Sequence, residues 1–169
     1  MKMNPFDIFH QLKSQINWDE DSFDKWRFRT DEEMFKEKKA KCIEAICYLC
    51  DKIPNSESVL YRLRRKDGLP IHARNDEKTQ VTWIHMNLVF QFDGEFYIAE
   101  WMWLKSGKII GSFKSRNDAL HYSCQMIQSD LTLLFNTEFE VNIIPFKKPS
   151  YRITLNEFQD FVLSENKSI

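Results

Sequence analysis

The sequence predicts an α+β fold with an antiparallel sheet, and three observations carry that reading. Two β-rich runs, 81–92 and 95–104, are joined by Asp93-Gly94 alone. That dipeptide suits a two-residue hairpin turn because both central positions need positive φ. Apolar residues at helical spacing (Phe6, Phe9, Leu12, Ile16) precede these runs, and a capping serine, Ser115, opens another helical stretch after them. Helices, then hairpin-connected strands, then helices again form an α+β order rather than alternating βαβ units.

Each element has its own local reason. The 3–4 spacing over residues 5–16 predicts a short docking helix. Residues 17–30 are acidic, then aromatic, and read as a loop. Thr30-Asp-Glu-Glu33 has the form of a capping box, so a short helix is expected from Asp31. A second helix is expected over about 41–53, ended by Pro54. Residues 58–65 alternate as a strand, with Val59, Tyr61 and Leu63 on one side. Residues 66–80 hold Gly, Pro, Asn and Asp and read as a long loop. Gly107 and Gly111 bracket another short strand. Ser115 caps a helix over about 116–130, residues 139–146 form a last strand, and Thr154-Leu-Asn-Glu157 opens a terminal helix through about Leu163.

Composition narrows the class. A chain of 169 residues with neither a repeat nor a linker is expected to be a single domain, 1–169, with a real core. Only 4 glycines are present, which argues against phosphate-cradling loops. A net charge of -1 gives no basic field for nucleic acid. The N-terminus has no signal-type apolar stretch, and no run approaches the ~20 apolar residues of a spanning helix. We therefore expect a cytoplasmic protein with no membrane partner, in which Cys42, Cys47, Cys50 and Cys124 are reduced thiols.

The hairpin brings chemistry together. With Asp93 and Gly94 as its two loop residues, Phe92 faces Glu95 and paired numbers sum to a constant. Glu100 then faces Asn87, and His85 faces Met102. Paired residues and strand neighbours two apart share a face. His85, Asn87 and Glu100 thus lie together, with Glu100 diagonal to His85 and placed to orient its imidazole. Cys42 stands where the second helix is expected to begin. A thiol there feels the positive helix end, and its unpaired N–H stands ready to stabilise an oxyanion.

The segments Thr30–Ala45, His85-Met-Asn-Leu-Val-Phe90 and Ala99-Glu-Trp-Met-Trp103 resemble the transglutaminase-like branch of the papain-fold cysteine enzymes. The resemblance covers roughly residues 30–130. It implies a papain/transglutaminase-like architecture, with N-terminal helices packed on an antiparallel sheet. It further implies Cys42 as nucleophile, His85 as general base and Glu100 as orienting acid. Three residues depart from the family pattern: Ala40 stands where Gly is usual, Ile43 where Trp is common, and Glu100 where the shorter Asp is more usual.

The expected activity is cysteine-dependent acyl transfer: hydrolysis or transamidation of a peptide, isopeptide or glutamine amide through a thioester. A protein or peptide is the substrate, and no cofactor is needed. Asn87, Trp83 and Trp101 are candidates for the cleft wall. The alternative is a non-catalytic protein-binding module on the same fold. A third reading is a zinc-stabilised domain using Cys47, Cys50, His121 and Cys124, whose pairs share helix faces at i, i+3. Arg62, Arg64, Arg65 and Lys66 form a basic run that would favour an acidic substrate if it lay near the cleft.

Overall fold

The computed structural model describes residues 4–15, 32–69, 82–101, 107–144, 156–158, 160 and 164. In chain order the elements are α1 (Pro5–Gln15), α2 (Glu32–Lys52), β1 (Ser56–Arg65), β2 (Thr82–Phe92), β3 (Glu95–Glu100), β4 (Lys108–Phe113), α3 (Arg116–Phe135) and β5 (Phe139–Ile144). The five strands form one sheet in the order β4-β3-β2-β1-β5, antiparallel at every pairing. The α+β expectation holds at this level. Residues 156–158 are helical, with Phe158 buried. The expected loop at 17–30 and most of the long loop at 66–80 lie outside the described residues. No helix among the described residues is long and apolar enough to cross a membrane.

The hairpin forms as its turn dictates. Asp93 has φ 55° and Gly94 φ 82°, the two positive angles such a turn requires. The register follows: Phe92 pairs with Glu95, Phe90 with Tyr97 and Leu88 with Ala99. β1 then pairs with β2 so that Tyr61 faces His85 and Val59 faces Asn87. β5 returns beside β1, with Ile143 against Tyr61.

β2 is buried on both faces over Thr82–Phe90, which is why its sequence reads as a nearly continuous apolar run. One face carries Ile84, Met86, Leu88 and Phe90. The other carries Trp83, His85, Asn87 and Val89. α3 covers the second face. Ser123 of α3 bonds Tyr61, Phe135 packs on Trp83, and Tyr122 packs on Phe113. α1 covers the first face, where Phe6 meets Phe90, Phe92 and Tyr97 edge-on and Phe9 packs on Trp101. α2 packs against α1, β1 and β2, so it belongs to α1's layer.

α3 starts as expected: Ser115 is extended, and its side chain accepts the Asp118 N–H. It ends later than expected, at Phe135, where Asn136 takes the left-handed conformation. α2 departs further. One continuous helix replaces the two expected, because EEMFKEKKAK at 32–41 consists almost wholly of strong helix formers and contains no Gly or Pro. Ala40 continues the helix where a glycine would weaken it.

Candidate functional site

The expected cluster on the hairpin forms, and it is larger than expected. β2 sets His85 and Asn87 on one face, and the β2–β3 register carried one residue past Leu88–Ala99 sets Glu100 against Asn87. Glu100 is therefore diagonal to His85, as the sequence predicts. The cross-strand partner of His85 on β1 is Tyr61, their rings 6.0 Å apart and tilted by 31°. His85 and Glu100 are each 1% exposed, and Tyr61 and Asn87 0%. Ser123, also fully buried, closes the cluster from α3.

Within this cluster, His85 Nε2 lies 2.8 Å from Asn87 Oδ1. Tyr61 Oη lies 2.6 Å from Ser123 Oγ, which itself donates to the Leu120 carbonyl at 2.8 Å. The Asn87 amide also faces the Tyr61 hydroxyl, although its Nδ2 completes no hydrogen bond among the described residues. Burial is the largest influence on the Tyr61 phenol and raises it well above its ordinary range. Tyr61 is thus a neutral phenol at physiological pH. The direct orienting contact on His85 at Nε2 is the Asn87 carbonyl oxygen, which the sequence reading had placed on the wall.

Cys42 does not occupy the position expected of it. It lies near the middle of α2 rather than at a helix start. Its backbone N–H belongs to the helix interior, away from the positive helix end and from the first-turn N–H groups that could meet an oxyanion. It is 1% exposed in an apolar stripe with Ile43, Ala45, Ile46 and Leu49. α2 lies in α1's layer, whereas His85 and Glu100 face α3. The fold thus brings His85, Asn87 and Glu100 together and carries Cys42 behind the sheet from them.

The remaining candidates resolve in the same way. Trp83 and Trp101 are 3% and 1% exposed, hence core rather than cleft wall. Trp101 is packed so closely by Gly107 that a Cβ there would lie 2.5 Å from the indole. Cys47 and Cys50 are on α2, and His121 and Cys124 on α3. No group of three or more metal-ligating residues forms among the described residues. The basic run is drawn into local pairs: Arg64 donates to Thr82, Arg65 pairs with Asp67 at 2.6 Å, and Lys66 reaches Glu138 at 3.7 Å. The hydrogen bond from Arg65 holds the Asp67 carboxyl below its usual range.

Sequence reasoning missed Tyr61 and Ser123. Tyr61 was legible only as one of three alternating residues, because no short turn sets the β1–β2 register. Ser123 carries a weak signal, as a polar residue in the stripe Leu120, Ile127 and Leu131 of α3. Compared with protein-family models, with curated proteins and with solved structures, the chain matches none.

Proposed function

We propose that this chain is a non-catalytic protein-binding domain in which the residues expected to form a triad serve as core. The observation that supports this most directly is the place of Cys42: 1% exposed, inside a continuous helix, in the layer opposite His85. A nucleophile needs access to its substrate, and a side chain 1% exposed inside a continuous helix has almost none. The surface that suits a protein partner is the outer side of α3. Tyr122, Met126, Ser129 and Leu133 follow one another at i, i+4, i+7 and i+11 on one helix face. Tyr122 is 40% exposed beside Phe113, and Leu133 is 80% exposed. Exposed aromatic and aliphatic side chains in one stripe are a feature of protein-binding surfaces.

A second reading, cysteine-dependent acyl transfer on a papain/transglutaminase-like fold, is favoured by one observation: the diagonal placement of Glu100 on His85. An ester-burst assay separates the two. Wild type, Cys42→Ala and His85→Ala are mixed with a p-nitrophenyl ester, and p-nitrophenol release is followed. The binding-domain reading expects the same slow background from all three. A stoichiometric burst in wild type that disappears in both variants contradicts it and supports a Cys42 acyl-enzyme.

A further inference from the structure

We propose that Asn87 is the positioning residue of His85. It holds the imidazole as the Nε2–H tautomer, which makes Nδ1 the nitrogen that takes up a proton. The Leu120 carbonyl of α3 sets the polarity of this lock through Ser123 and Tyr61. The inference goes beyond the binding-domain reading and holds whether or not Cys42 reacts.

The Leu120 carbonyl of α3 sets the first direction in the chain of hydrogen bonds. A carbonyl oxygen only accepts, so at 2.8 Å from Leu120 O the Ser123 hydroxyl donates. Ser123 has one proton and has spent it. At the 2.6 Å contact with Tyr61 it therefore accepts, and the Tyr61 hydroxyl donates. Tyr61 has then spent its own proton, and Oη presents only lone pairs to the Asn87 side chain that faces it. The phenol therefore prefers the NH2 end of the Asn87 amide, because the reverse orientation would set Oδ1 against its lone pairs. Nδ2 completes no hydrogen bond among the described residues, so the avoided clash between acceptors decides the orientation. Oδ1 is left for His85, 2.8 Å away, and only a protonated Nε2 can donate to it. A backbone carbonyl of α3 thereby dictates which nitrogen of a β2 histidine is basic.

Histidine-specific 15N labelling of the full chain tests this through long-range 1H–15N correlation spectra, with His85 assigned by loss of its signals in His85→Gln. The expected wild-type pattern at neutral pH is a pyrrole-type Nε2 and a pyridine-type Nδ1, with Nδ1 moving first on acidification. Asn87→Leu removes the acceptor and should shift the pattern toward a mixture of tautomers. Ser123→Ala removes the start of the relay and should also raise the minor tautomer. Ser123→Thr, which keeps a hydroxyl, should restore it. An Nδ1–H tautomer or a mixture in wild type overturns the proposal. A tautomer unchanged in Ser123→Ala overturns the relay. Should Asn87→Leu not fold, the wild-type and Ser123 spectra decide.

Discussion

The two faces of β2 are equally buried and differently built. Toward α1 and α2 the strand presents Ile84, Met86, Leu88 and Phe90, all 0% exposed. Toward α3 it presents Trp83, His85, Asn87 and Val89, with Tyr61 and Glu100 alongside from the neighbouring strands. The first face is held by area and packing, which are strong and tolerant of direction. The second is held around directional hydrogen bonds, each of modest net value and costly to leave half made. Stability should therefore reside mainly on the α2 side and the uniqueness of side-chain arrangement on the α3 side. Cys42, on the first side, belongs to packing. His85, on the second, belongs to a polar network. That division is what separates the two residues chemically.

The largest effect is expected from Phe90→Ala, which deletes a ring packed against Phe6 and Tyr97. It should cost about 3–5 kcal/mol in denaturant unfolding. A loss under about 1 kcal/mol would mean that the α1 layer does not hold this face. Next in size is Tyr61→Phe on the polar face. It removes one buried hydrogen bond yet leaves Ser123 donating to Leu120, so about 1 kcal/mol is expected from the same measurement.

A smaller effect concerns pH. Cys47 lies on α2, and its thiol is pushed up from 9.0 to about 11, first by burial and then by Cys50, Glu157 and Glu44 nearby. A raised folded-state value means that the thiol keeps its proton in the folded chain after the unfolded chain has lost it. Stability from this group is complete below pH 9 and falls as the pH rises toward 11. Cys47→Ala should flatten part of that alkaline decline in a pH series of unfolding free energies. An equally steep decline in the variant would show that the thiol is not linked to folding. The smallest effect is expected at the outer stripe of α3. Leu133 is 80% exposed, so Leu133→Lys should alter unfolding free energy by no more than about 0.5 kcal/mol. A larger loss would place Leu133 in the core and remove it from the proposed partner surface.

Much of the sheet was legible because its cause is local. Asp93-Gly94 admits one turn type, and that turn sets every pairing down to Leu88–Ala99, hence the diagonal of Glu100 on His85. The opposite strand was not legible to the same degree. β1 and β2 are separated by residues 66–81, and no short turn communicates a register, so the pairing of Tyr61 with His85 emerges only from the assembled sheet. Cys42 was misplaced for a different reason. The resemblance asks for a break before the cysteine, whereas Ala40 and the helix formers on either side of it supply none. Local propensity argued against the family pattern there, and propensity prevailed. Ser123 depended on knowing which stripe of α3 faces the sheet, which rests on packing across the whole domain.

The central claim, that Cys42 is core and not nucleophile, is tested most directly by iodoacetamide labelling resolved cysteine by cysteine with peptide mass spectrometry. Wild type and His85→Ala are compared across a pH series. Cys47 and Cys124 are half-buried, with burial raising both thiols, whereas Cys50 and Cys42 are 7% and 1% exposed. Slow labelling is expected at neutral pH, Cys47 and Cys124 ahead of Cys50 and Cys42, with the same order in His85→Ala. Selective labelling of Cys42 well below pH 8.5, the ordinary thiol value, and its loss in His85→Ala would contradict the account and restore the thiolate enzyme.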